Sequence, residues 1–272
     1  MKTRSRTLLF SDFNTDWYRH WAKILKQTRS HDGYALRANK FWQNAAICQA
    51  LLERNILHAG TRGIGFGVGN ERLPAVFASL GVTVTATDQD SRKHKALHWS
   101  KRELATSLHS LNTYGIAHPD ALKRLVTYQP ADMKRIPKSF ANSYDFLWSN
   151  CALGHLGSIK AALHFIERSL QCLKPGGWAI HTTELNVLSD EETVESGHTV
   201  ILRLRDLKAL YTRLTASGYV CDPIRVDFGR TKDDFRISLL PQFGNDFSKI
   251  QVGGHLATQV ILIIQKPKRQ IP

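Results

Sequence analysis

Apolar positions recur with two periods along the chain, and the places where one period gives way to the other mark out the elements. Trp17, Trp21, Ile24 and Leu25 fall at helical spacing, and Phe41, Ala45, Cys48, Leu51 and Leu52 repeat it before Gly60. Residues 1–58 are therefore expected to form an N-terminal helical extension. Arg62 to Phe66 then reads as a strand, Leu73 to Leu80 as a short helix and Val82 to Asp88 as a second strand. Ser91 to Leu111 reads as a helix with basic residues outside and Ser91 as its cap, followed by a short strand over Arg124–Tyr128. Tyr144 to Asn150 is an apolar run bounded by polar residues, as expected of a strand buried on both faces. Ile159, Ala162, Ile166 and Leu170 line one face of the next helix, which Lys174-Pro175-Gly176-Gly177 is expected to end. Trp178 to Asn186 supplies a fifth strand, Leu204 to Ala216 a helix, and Tyr219–Phe228 and Thr258–Ile264 the last strands. Residues 229–256 connect those two as a long, substrate-side insertion. This alternation predicts an α/β domain over residues 59–272.

The chemistry concentrates between the first strand and the first helix of that domain, in Arg62-Gly63-Ile64-Gly65-Phe66-Gly67-Val68-Gly69-Asn70-Glu71. Glycines at alternate positions bring bare backbone against a ligand, and the helix that follows aims its first amides the same way. Asp88 lies 19 residues past Gly69, where a carboxylate can take both hydroxyls of a ribose. A nucleoside-containing cofactor is the expectation, set against a glycine turn that holds nothing. Dinucleotide folds want G-x-G-x-x-G, and the run fails it: counting from Gly63, Gly65 or Gly67, the sixth residue is Val68, Asn70 or Arg72.

Composition alters this picture in one respect. The 272 residues, 42% hydrophobic and 22% charged, suit an ordinary globular chain with a sizeable core. No apolar run is long enough for a membrane span, and the polar start lacks the apolar stretch of a signal peptide. Cys48, Cys151, Cys172 and Cys221 are scattered, without a C-x-x-C pair, which argues against structural zinc and a disulfide framework and for a reducing cytoplasm. The net charge of +14 stands out. It favours an acidic partner, whether nucleic acid, anionic glycan or a membrane surface touched from outside, unless much of it is solvated helix face.

The pattern Gly65-x-Gly67-x-Gly69 resembles motif I of the class I S-adenosylmethionine-dependent methyltransferases. With Asp88, Asp132, the strand before Cys151 and the Leu173-Lys174-Pro175-Gly176-Gly177 turn in order, the likeness covers roughly residues 60 to 190. It implies a doubly wound, seven-stranded, mostly parallel Rossmann-like sheet of order 3-2-1-4-5-7-6, with S-adenosyl-L-methionine as cofactor. Gly65, Gly67 and Gly69 would meet the methionyl part, Asp88 the ribose and Asp132 the adenine amino group. Phe66, Glu71, Gln89, Met133 and Asn150 are further cofactor contacts on this likeness. For Asp132 a turn-capping role is the alternative. More narrowly, Gly-Phe-Gly-Val-Gly, Thr-Ala-Thr-Asp, His-Leu-Gly-Ser and His-Thr-Thr-Glu-Leu-Asn are similar to a bacterial group associated with surface polysaccharide biosynthesis. Two positions depart from the pattern: Gly63 stands where motif I carries an acid, and Gly154 where the narrower group has glutamate.

Methyl transfer from a sulfonium is an in-line displacement, so the enzyme holds the acceptor and, for a hydroxyl, takes up its proton. His155, His181 and Glu184, at the ends of the fourth and fifth strands, are the candidate bases, with His155 first. Glu184 either orients a histidine or acts itself. Amino-group methylation of nucleobases commonly uses Asn or Asp followed by Pro-Pro, absent from Ser149-Asn150-Cys151-Ala152, and Cys151 lacks the proline that precedes a cytosine-attacking thiol. No metal-binding cluster is evident. The resulting expectation is an enzyme that O-methylates a sugar hydroxyl of an anionic bacterial glycan or its precursor. The alternatives are a methyltransferase acting on RNA or another nucleic acid, and a catalytically silent cofactor-binding protein.

Overall fold

The computed structural model describes residues 3–27, 39–89, 107–239 and 247–268. The helix expected over 91–111 falls outside these residues except at its end, where a short 3-10 turn covers His109–Asn112. The described strands are β1 (Arg6–Thr7), β2 (Arg62–Phe66), β3 (Thr83–Asp88), β4 (Val126–Pro130), β5 (Tyr144–Asn150), β6 (Leu173–Asn186), β7 (Val220–Cys221), β8 (Ile237–Leu239), β9 (Lys249–Val252) and β10 (His255–Gln265). The described helices are α1 (Asp16–Ile24), α2 (Asn39–Leu52), α3 (Leu73–Ser79), α4 (Pro119–Leu125), α5 (Ile159–Ser169) and α6 (Leu204–Ala216).

These strands form one mixed sheet in the order β4-β3-β2-β5-β6-β10-β9-β8. From β4 to β6 every neighbour is parallel, and β10 closes against β6 antiparallel. The fold is Rossmann-like, with ten described strands in place of the expected seven. The extra strands are β1 and β9 on the outer edge of β10 and β8 beyond β9, and three short segments share that edge in succession. Residues 255–258 pair with β9, Val260 and Ile261 with β1, and Ile264 and Gln265 with β7. The strand expected over Tyr219–Phe228 is accordingly cut to Val220–Cys221, because β1 occupies the next stretch of edge and Arg225 bridges to Arg6 instead. The N-terminal segment, expected to be helical throughout, thus begins by adding a strand to the sheet.

Two apolar layers cover the sheet. One packs Trp21, Trp42 and Ala45 of the N-terminal helices and Phe77 of α3 against Phe146, Trp148 and Ile263. The other packs Phe165 and Ile166 of α5 and Leu210 of α6 against Phe66, Leu147 and Leu262. Successive residues of β5 serve opposite layers, so that strand is buried on both faces as its apolar run predicts. Leu173-Lys174-Pro175-Gly176-Gly177 does not stop a helix, since α5 ends at Ser169 and a 3-10 turn follows to Cys172. The segment is instead the start of β6, entered through a register shift against Tyr144 and Phe146 with Gly176 at φ +83°.

Candidate active site

The glycine run folds as its spacing predicts. β2 ends at Phe66, the chain turns through Gly67 (φ +64°) and Gly69 (φ +48°), and α3 begins at Leu73. A Cβ on Gly67 would lie 2.8 Å from Ala152 Cβ and 3.2 Å from Met133 Sδ. Bare backbone at this point is therefore set by close approach as well as by dihedral. Asp88, at the end of β3, is buried; its carboxylate accepts from the Gly69 amide at 3.0 Å and the Gln89 amide at 2.7 Å. The residue expected to take a ribose is thus tied to the loop expected to take the methionyl part. Asp132 is exposed and its Oδ1 accepts from the Lys134 amide at 2.8 Å, so here it caps its own turn. Its neighbour Met133 is buried and faces Gly67.

Gly63, where an acid is usual, is explained by its neighbour across the sheet. A Cβ there would come within 2.3 Å of the Phe146 ring, which fills the space a side chain needs. The Trp148 ring crosses Gly65 in the same way, and its Nε1 donates to Glu71 Oε1 at 2.5 Å. Burial pushes the Glu71 carboxyl up to about 8; hydrogen bonds from Trp148 and Asn150 and the charge of Lys40 work against that rise, and Asp88 adds to it.

Beyond Glu71, polar side chains continue along the carboxyl ends of β5 and β6 under α2. Asn150 Nδ2 donates to Asn44 Oδ1 at 2.7 Å, and Thr182 Oγ1 lies 3.0 Å from Asn150 Oδ1 and 3.3 Å from Gln43 Oε1. Cys151 follows with φ +58°, an unusual conformation for a residue with a side chain, and its Sγ donates to Glu184 Oε1 at 2.8 Å. Burial and then the Glu184 charge push this thiol well up, so it stays protonated. A cytosine-attacking nucleophile requires the reverse. Gln259 Nε2 also donates to Glu184 Oε1, at 3.1 Å, while Glu184 Oε2 is buried without a partner. Gly154 leaves room for that oxygen: a Cβ at 154 would sit 3.3 Å from it. The carboxylate reaches this spot from β6, and a larger residue at 154 would crowd it.

The candidate bases separate. His181 is fully buried on the α5 side of the sheet, edge-on to Phe165, with Nδ1 and Ser149 Oγ 2.8 Å apart and Nε2 unpartnered. Burial pulls it down to about 3, so it is neutral at pH 7 and sealed from the crevice. Glu184 is three residues further along the strand and points to the opposite face, so it does not orient His181. His155 lies on the rim, in the 3-10 turn after β5, with Nδ1 3.0 Å from the His198 carbonyl. Only Glu184 joins the buried polar group. Gln43, Asn44 and Gln259 belong to no motif; their signal in the sequence is an amide inside an otherwise apolar run of α2 or β10.

Residues 64–181 match the family of methyltransferase domains. Solved structures share the fold at low identity. A provisional sarcosine dimethylglycine methyltransferase from Galdieria sulphuraria aligns at TM-score 0.54 and 15% identity, over 96% of this chain and 99% of that one. The cyclase SpnF aligns at TM-score 0.53 and 16% identity, over 97% and 99%. A SAM-dependent methyltransferase from Methanosarcina mazei aligns at 0.50 and 17%, over 80% and 98%. No curated protein matches the chain in sequence. Residues 64–181 thus carry an S-adenosylmethionine-dependent methyltransferase domain, and S-adenosylmethionine is its cofactor. The bare cradle at Gly67 and the Asp88 carboxylate at the end of β3 fit that cofactor, which supplies an electrophilic methyl group when bound. No described helix is long and apolar enough to cross a membrane.

Proposed function

We propose that the protein transfers the methyl group to a hydroxyl of a sugar in an anionic glycan or glycan precursor, with Glu184 as the group that takes the hydroxyl proton. The observation that carries this reading is the buried, unpartnered Glu184 Oε2 beside Cys151 at the carboxyl end of the sheet. A carboxylate already held by a thiol and an amide has one oxygen left for a donor, and an acceptor hydroxyl is such a donor. The amides of Gln43, Asn44, Asn150 and Gln259 near it suit a hydroxyl-rich ligand, and the charge of +14 suits an acidic one. Gly65, Phe66, Gly67 and Gly69 with Asp88, Gln89 and Met133 hold the cofactor, and Asn150 separates the two regions. His155 lines the entrance. The test is incubation with methyl-labelled cofactor and bacterial extract separated into glycan, nucleic acid, protein and small molecules. Label in acidic glycan or nucleotide-sugar fractions supports the reading; label in RNA or DNA overturns it in favour of a nucleic-acid enzyme.

A further inference from the structure

Glu71 is a partly buried carboxyl that the proton transfer at Glu184 does not use. It sits where the glycine loop enters α3, held by Trp148 and Asn150 from the carboxyl end of β5. Resting on the reading that this loop binds S-adenosylmethionine, we propose that Glu71 receives the α-ammonium group of the cofactor's methionyl end and gives up its own proton in doing so.

The geometry supports this in three ways. The Phe146 ring closes the space over Gly63, so no side chain at that point of β2 can meet a bound cation. The bareness of Gly65 lets Trp148 cross β2 and fix Glu71 Oε1, which holds the carboxyl next to the loop rather than out in solvent. Glu71 forms no ion pair with a described residue, although Lys40 of α2 exerts some attraction. The other titratable groups that bear on it are Asp88 of β3, a like charge, and the Cys48 thiol of α2, itself pushed up by burial and by Glu71. A carboxyl in such surroundings, up at about 8, holds its proton at neutral pH. A ligand cation reverses this: Glu71-COOH and the ligand ammonium become an ion pair, and one proton goes to solvent.

The experiment is titration calorimetry of the full chain with two ligands in two buffers of different ionisation enthalpy. S-adenosylhomocysteine carries the amino-acid end; methylthioadenosine shares the nucleoside and sulfur and lacks it. At pH 7 the first should release about 0.9 proton and the second close to none. Between pH 6 and pH 8 the affinity for S-adenosylhomocysteine should rise about fifty-fold, as the ionised fraction of Glu71 rises. In Glu71→Gln that rise should vanish while methylthioadenosine affinity stays within twofold. S-adenosylhomocysteine binding without proton release by the wild type, which needs no variant to fold, overturns the proposal and leaves the cofactor reading intact. Failure of both ligands to bind rejects the cofactor reading, and this proposal with it.

Discussion

His181 gives a quantitative test of how the sheet is built. Folded, its ring is sealed between the sheet and Phe165 and stays neutral down to about 3. Unfolded, a histidine takes up a proton near 6.5. Between those values the unfolded chain binds more protons than the folded one, so stability is fully present above about 6.5 and is lost as pH falls toward 3. From pH 7.5 to 5.5 this single group should cost about 1.4 kcal/mol, and to pH 4.5 about 2.7 kcal/mol. Carboxylates add their own acid sensitivity, which a comparison removes. Glutamine at 181 keeps an amide within reach of Ser149 Oγ and does not titrate. Urea denaturation of wild type and His181→Gln should therefore show a gap in stability that shifts in favour of the variant by those amounts as the medium is acidified. A gap constant from pH 7.5 to 4.5 would refute the claim that a neutral imidazole is buried here, and would restore His181 as a candidate base.

Other substitutions test the site. Asp88→Ala removes the acceptor that ties Gly69 and Gln89 together, and should weaken S-adenosylhomocysteine binding at least tenfold with circular dichroism unchanged; unaltered affinity sinks the ribose assignment. Glu184→Gln should lower turnover on the acceptor fraction by about 10²-fold or more with cofactor affinity kept, while His155→Ala, on the rim, should cost less; the reverse order would return the base to His155. Gly63→Ala places a methyl 2.3 Å from the Phe146 ring and should destabilise the chain by about 1–3 kcal/mol, with partial recovery on adding Phe146→Leu. An unchanged melting temperature in the single variant would mean the ring is not fixed over that glycine.

Local signals made the first half of the domain legible. A strand, a glycine turn with left-handed residues, a short helix and a carboxylate at the end of the next strand each leave a mark in adjacent residues, and β2, α3 and β3 fall within a residue or two of their expected bounds. The elements misread depend on partners distant in sequence. Pro175-Gly176-Gly177 has the composition of a helix stop and serves as a strand entry because β5 lies ready to pair. Arg6 and Thr7 have no strand pattern of their own, and they become β1 only because β10 offers a free edge. The candidate base illustrates the same limit. Strand alternation already puts residues 181 and 184 on opposite faces, but which face is the crevice depends on which helix covers it, and that is a tertiary fact. The polar residues of α2 contribute to the site because the helix happens to cross above Asn150 and Thr182.

The shared edge of β10 also dictates an order of assembly. Arg6 and Thr7 meet their partners about 250 residues later in the chain, so β1 is made long before β10. While the parallel half from β4 to β6 can pair as it is made, β1 has to wait, unpaired, until β10 has been made. Until β10 arrives, the edge of β6 that carries Glu184 is also open, so the candidate site and the closed sheet are completed in the same step.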